Sequence, residues 1–374
     1  MNKSTILSVG LLAGTIIGAG IFSLPYLFSR IGVVLGVFYL LLFSVVYIMF
    51  YFMYSALLLK ENEPHDFFKL ARTHLSWWAS KTSSFFIITE LLFALVVYLI
   101  LAGMFFEFGF GTKGLLPMLL FWICGSVFIF VKTDLLGVAE LLGTLSIIGI
   151  VAFMFFIGSG PIFPPAVSFL PDSFNWRLLL LPFGPLLFSF SGRPAVSKIV
   201  QEYKNMKNKG TPFSFKKSLI FGTALSGLVY LVFVFSVFRL GGNISTDTLS
   251  GLTFLSPLVR GIIGFLGLIT LWTSYFMIGA NIKDILILDA RWSKWIAGGI
   301  SLFFPLLLYA GGFKDFLFTI GFVGGIFIAC EGIFVTRMWQ NAFPTHPLRK
   351  ASYAIYIVFF VAIAYEIANT IIRF

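Results

Sequence analysis

Near its start the chain carries Gly14-Thr15-Ile16-Ile17-Gly18-Ala19-Gly20-Ile21-Phe22-Ser23-Leu24-Pro25 within a long apolar run. Glycines at 14, 18 and 20 and a proline at 25 disfavour one continuous helix. In lipid each unpaired backbone group costs several kcal/mol, so a broken helix survives only where it is surrounded by protein or lines a cavity. If the run crosses a membrane, the break marks a site at membrane depth.

The rest of the chain supplies that condition. Hydrophobic residues make up 59% of it and charged residues 11%, which excludes an ordinary soluble domain. Stretches long enough to cross about 30 Å of hydrocarbon, roughly 20 residues each, occur eleven times. Their approximate limits are 6–30, 33–59, 83–109, 115–131, 135–158, 177–199, 218–240, 257–282, 293–310, 316–338 and 351–373. The expected fold class is thus an all-α polytopic membrane protein, with the whole of 1–374 as a single transmembrane domain.

With the N-terminus in the cytoplasm, eighteen Lys and Arg fall on the cytoplasmic side against seven on the other, Arg193 remaining inside a span. The positive-inside rule therefore sets the N-terminus inside and, after eleven crossings, the C-terminus outside. The net charge of +11 belongs to this topology and implies no nucleic-acid partner. Lys3 is only a token basic start, and no small-residue cleavage context follows, so the first run reads as a retained helix. Cys124 and Cys330 have neither metal-ligand spacing nor the look of a disulfide framework. No metal and no cofactor is expected, and no feature fixes an oligomeric state. The loop from Lys60 to Lys81 mixes charges with Phe67, Phe68, Leu70, Leu75, Trp77 and Trp78, a pattern that suits an amphipathic helix at the cytoplasmic interface.

The sixth span holds a second break, Leu181-Pro182-Phe183-Gly184-Pro185-Leu186-Leu187-Phe188-Ser189-Phe190-Ser191-Gly192-Arg193-Pro194. It comes five crossings after the first, so the two interrupted helices run through the membrane in opposite directions. Paired interruptions in two halves point to an inverted-repeat transporter with its site at the midplane. Unwound helices present free amides to an anion and free carbonyls to a cation. An amino acid carries both charges on adjacent atoms. The same glycines also suit close helix packing.

GTIIGAGIFSLP resembles the GTxIGAGMLALP signature in the first helix of bacterial aromatic and hydroxy amino acid permeases, of tryptophan, tyrosine and serine types. Ser189 to Val196 is similar to that family's SFxFHPAIP stretch, and closer still to the FSGHPAVP form of the related amino acid/auxin permeases. Thr273-Ser274-Tyr275-Phe276, with Asp284 ten residues after Ser274, looks like the TSFLG…D pattern of the eighth helix. The resemblance implies the five-plus-five inverted-repeat fold of the amino acid–polyamine–organocation superfamily, with discontinuous helices 1 and 6. Repeat one would cover about 6–158, repeat two about 177–338, and an appended helix about 351–373. By analogy the substrate's carboxylate and amino groups would be held by Thr15, Ile16, Ile17, Gly18, Ala19, Gly20 and Ile21, together with Phe188, Ser189, Phe190, Ser191 and Gly192. Thr273 and Ser274 would lie where sodium-coupled relatives place an ion. Arg193 stands where relatives often have histidine, and Gly14 where sodium-coupled auxin-type relatives tend to have asparagine.

Ionisable groups inside spans are functional candidates. Glu90, Glu140, Arg193 and Glu331 fall at a common depth in spans three, five, six and ten. Glu140 is the first choice for carrying a proton, since the fifth helix of this fold approaches the inner half of the first. Glu366 lies outside the repeats and reads as peripheral. Phe93, Val97 and Tyr98 in span three, with Phe188 and Phe190, have the bulk to meet an apolar or aromatic side chain. The expected function is a proton-coupled symporter of an aromatic or other neutral amino acid in the bacterial cytoplasmic membrane, with an amino acid, a proton and the lipid bilayer as partners. A sodium-coupled or exchanging permease is the alternative. A membrane enzyme would need clustered acid–base or metal-binding groups, which the sequence lacks. A nutrient sensor would need a soluble output domain.

Overall fold

A computed structural model describes residues 3–61, 67–130, 136–163, 167–170, 175–208, 213–288 and 291–373, and of these the side chains of residues 3, 136–141 and 288 lie outside the description. The described residues form helices and connections with no strand. Among the described residues six helices are long and apolar enough to cross a membrane: α3 (Val33–Lys60), α5 (Trp77–Phe110), α11 (Phe215–Leu240), α12 (Pro257–Leu288), the run Phe316–Ala342, and the last, which contains α16 (Ser352–Arg373). Two further pairs pass the same test together but are bent. The segments 4–16 and 19–31 meet at 53°, and 176–189 and 193–208 at 41°. Shorter apolar helices cover α6 (Leu115–Phe128), α13 (Lys294–Ala310) and the described part of α7 (Leu136–Ile157).

The first bent pair is α1 (Lys3–Ile16), a short 3-10 turn over Ala19–Ser23, and α2 (Leu24–Ile31). Pro25 sits in the first turn of α2, where its missing N–H breaks no helical bond. The second pair is α8 (Trp176–Leu180) with α9 (Phe183–Ser189), then α10 (Arg193–Asn208) after a gap at residues 190–192. Its three prolines follow the same rule: Pro182 precedes α9, while Pro185 and Pro194 lie in the first turns of α9 and α10. Prolines that look disruptive in sequence thus mark where half-helices begin.

Around these pairs, α12 runs along α5 and α7, and α1 runs along α11. The α5–α12 contact is close because a Cβ on Gly264 would stand 2.7 Å from the Gly109 Cα, so glycine lets the two backbones meet. The run Phe316–Ala342 is not a uniform helix. It divides into α14 (Phe316–Phe322), a π-helical stretch over Val323–Ile328 and α15 (Ala329–Ala342).

Two surface expectations change. The loop helix α4 (Phe67–His74) turns Phe67, Phe68, Leu70 and Ala71 into the protein, against α5 and α15. Glu366 is buried, its carboxylate against Gly321 and accepting from Asn369 Nδ2 at 3.3 Å, because the glycines of the irregular span leave room for it.

Candidate functional site

The two breaks touch. A Cβ placed on Gly20 would lie 2.8 Å from the Ser189 Cα, so the unwound part of span 1 packs directly on the end of α9. Breaking a helix frees carbonyls, and their partners can be followed one by one. At the end of α1, the Ile16 carbonyl accepts from the Tyr230 hydroxyl at 2.8 Å. At the end of α9, the Leu187 carbonyl accepts from Tyr47, the Ser189 carbonyl from the same Tyr230, and the Phe190 carbonyl from Tyr51 at 2.5 Å. Tyr47 and Tyr51, with Tyr54, recur at helical spacing along one face of α3. Tyr47 and Tyr51 act as external caps for span 6, whereas the Tyr54 hydroxyl meets Ser197 Oγ at 3.1 Å.

The amides are treated differently. Among the described residues those of Gly18, Ala19 and Gly20 donate to no backbone carbonyl. That of Ala19 faces the Tyr98 hydroxyl, which also faces Ser274. These residues begin the second half of span 1 and line a cavity of about 160 Å³. An unwound helix start of this kind attracts an anion.

The cavity continues past Ser191 to three ionisable groups, Glu90, Arg193 and Glu331. Arg193 is the first residue of α10, and its Nε donates to Glu331 Oε1 from α15. Its guanidinium also lies 5.1 Å from the Phe67 ring centroid and 5.8 Å from that of Tyr54. Away from the cavity, aromatic rings pack around Phe22. Phe22 meets Phe105 and Phe233 edge to face, and the Thr248 hydroxyl donates to the Phe22 carbonyl at 2.5 Å.

Residues 1–275 match the family model of transmembrane amino acid transporter proteins. The chain belongs to that family. It is an integral membrane protein, and the permease resemblance of its sequence holds at this level. No curated protein matches the sequence. Among solved structures the chain is similar to MhsT in complex with L-phenylalanine, at TM-score 0.56 and 15% identity, over 100% of this chain and 99% of that one. It is also similar to MHP1, a nucleobase-cation-symport-1 family transporter in a closed conformation with bromovinylhydantoin bound, at TM-score 0.62 and 13% identity, over 99% and 94%. At such identities the likeness concerns the fold.

In this transporter family member, the cavity is lined by Thr15, Ile16, Ile17, Gly18, Ala19, Gly20, Phe188, Ser191, Arg193, Thr273 and Ser274. Ile21, Ser189, Phe190 and Gly192 stand behind it. Ile21 is fully buried, Ser189 packs on Gly20, Phe190 stacks on Tyr47, and Gly192 lies against Ile16 and Tyr51. Glu140 is on α7, but its side chain lies outside the described residues. Thr273 donates to the Thr270 carbonyl at 3.0 Å and packs on Gly143. Among the described residues no cluster of His, Cys, Asp and Glu could hold a metal ion. The sequence reading missed Tyr47, Tyr51 and Tyr230. The spacing of the α3 tyrosines was the available signal, whereas Tyr230 stands alone in an apolar span.

Proposed function

We propose that the protein imports a neutral amino acid by alternating access, driven by a proton gradient. The observation that carries this reading is the contact between the two breaks, beside which Gly18 and Gly20, whose amides donate to no backbone carbonyl among the described residues, line a shared cavity. The substrate carboxylate would take those amides, and its ammonium would take hydroxyls and carbonyls near Ser191 and Ser274. Tyrosine caps hold the breaks open without using the amides, so the site is preorganised for the anionic end of the ligand.

An engineered cavity of about 150 Å³ accommodates benzene. A cavity of about 160 Å³ therefore favours a small neutral amino acid in this conformation. Of the aromatic residues considered for side-chain recognition, Tyr98 and Phe188 line it, while Phe93 packs on Phe313, Phe322 and Phe327. An aromatic substrate would require Tyr98 or Phe188 to swing aside.

Six long helices, two bent pairs and three shorter apolar helices make eleven segments, which supports eleven crossings. The reading takes these as five plus five in inverted repeat, about 6–158 and 177–338, with the last helix appended. It places the protein in the cytoplasmic membrane of a bacterium, N-terminus inside and C-terminus outside. Closure around Phe22 and a cavity reaching toward the basic side then correspond to an inward-leaning state. A sodium-coupled reading has its own support, since Thr273 and Ser274 line the cavity opposite span 1.

The test is binding of labelled amino acids to the purified protein by scintillation proximity. The proposal expects saturable binding of alanine- or serine-sized ligands that Gly20→Ala weakens by at least about tenfold. Binding that Gly20→Ala leaves intact would contradict the location of the site.

A further inference from the structure

We propose that Glu90 is the proton carrier of the transport cycle, titrating against the fixed pair formed by Arg193 and Glu331. This deepens the proton-coupled reading above and rests on it. Glu331 is buried and receives the Nε–H of Arg193, so those two charges cancel. Glu90, on α5, lines the same cavity and is only 7% exposed. No hydrogen bond from a protein donor reaches its Oε2 among the described residues, and the side chain it faces is the Glu331 carboxylate. Among the described residues the other groups facing the cluster are the hydroxyls of Tyr47, Tyr51 and Tyr54 on α3, none of which supplies a positive charge.

Among the described residues Glu90 is therefore the surplus charge of the cluster. With all three groups ionised the sum is one negative charge, and one bound proton brings it to zero. An uncompensated buried carboxylate costs several kcal/mol, so a dry, closed site demands the protonated form. Ionised Glu90 demands water, which means a cavity open to one side. Proton occupancy and access are linked by this difference alone.

The link to substrate is the position of Arg193. It begins α10 directly after the gap at 190–192, so a rotation of α10 that opens or closes the breaks also moves the partner of Glu331. The substrate is a zwitterion with no net charge. Each cycle would bind one proton to the Glu90 carboxylate from outside, release it inside, and carry one net positive charge.

The experiment reconstitutes the full chain in proteoliposomes with a mixture of labelled neutral amino acids as probe. Counterflow is measured without a gradient, and accumulation under an imposed proton gradient or a potassium-diffusion potential. Wild-type protein is expected to show counterflow and to accumulate with either driving force. In Glu90→Gln the ratio of gradient-driven accumulation to counterflow is expected to fall at least about tenfold, within the range of ordinary site–site coupling. An unchanged ratio overturns the proposal. So does wild-type accumulation that follows sodium and ignores pH, although amino acid transport then stands. Absence of wild-type counterflow would sink the amino acid reading itself. If Glu90→Gln does not fold, Glu90→Asp carries the test: a displaced pH midpoint of accumulation supports the role, and an unmoved one overturns it.

Discussion

The hydroxyl of Tyr230 lies between the carbonyl of Ile16, at 2.8 Å, and that of Ser189, so one side chain serves the freed ends of both broken spans. A hydroxyl has one proton to give, and the two carbonyls share it. Tyr230→Phe keeps the ring and removes the donor, leaving two buried acceptors short of a partner. The cost is about 1–3 kcal/mol. We expect a lower melting temperature in detergent and weakened substrate binding, and Val229→Ala, on the same helix, serves as the packing control. Equal effects of the two changes would show that the hydroxyl is not a cap.

Gly20 and Ser189 set a steric condition on the site. A methyl group on Gly20 must displace Ser189 backbone, whereas one on Gly10 meets open space. Gly20→Ala is expected to cut binding by at least about tenfold, the equivalent of 1.4 kcal/mol. Gly10→Ala is expected to bind as wild type. The comparison is read from two saturation curves.

Arg193 and Glu331 make a pair whose halves depend on each other. Arg193→Gln leaves a buried carboxylate uncompensated, at a cost of about 3–5 kcal/mol. Arg193→Gln combined with Glu331→Gln removes both charges. Thermal unfolding should therefore show the double variant more stable than Arg193→Gln alone, a non-additivity of the kind contacting residues display. Strict additivity would mean that the two side chains are not coupled.

Thr248 is held at φ 65°, a left-handed conformation that is uncommon for a β-branched residue, while its hydroxyl reaches the Phe22 carbonyl. Strain of this kind costs of order 1–3 kcal/mol and persists when surrounding contacts demand it. Thr248→Gly relieves the backbone and deletes the bond that seals this side of the breaks. In a background with Cys124→Ala and Cys330→Ala, Ser191→Cys should react faster with an impermeant thiol reagent added outside once Thr248→Gly is present. An unchanged rate would mean that Thr248 does not hold the seal.

Much of this arrangement was legible in the sequence, for physical reasons. Gly14 to Pro25 and Phe188 to Pro194 stood out because glycine and proline are costly inside a lipid-facing helix. Their pairing followed from counting crossings. The common depth of Glu90, Arg193 and Glu331 was also visible, but depth along a span says nothing about which faces meet. The Arg193–Glu331 pair needed the rotation of two helices, α10 and α15. The tyrosine caps were hidden because an aromatic residue in an apolar span looks like packing until its hydroxyl is placed. The π-helical stretch at Val323–Ile328 was hidden too, since Gly321, Gly324 and Gly325 read equally well as contact residues. Glu366 looked peripheral because it is buried by those same glycines rather than by its own neighbours in sequence.

The most direct test of the paired-break site is amino acid counterflow in proteoliposomes, with wild type beside Gly20→Ala. Wild-type protein should exchange at least one small neutral amino acid without any gradient, and Gly20→Ala should not. Exchange of no amino acid by the wild type, or equal exchange by both proteins, would contradict a substrate site at the junction of Gly18–Gly20 and Phe188–Ser191.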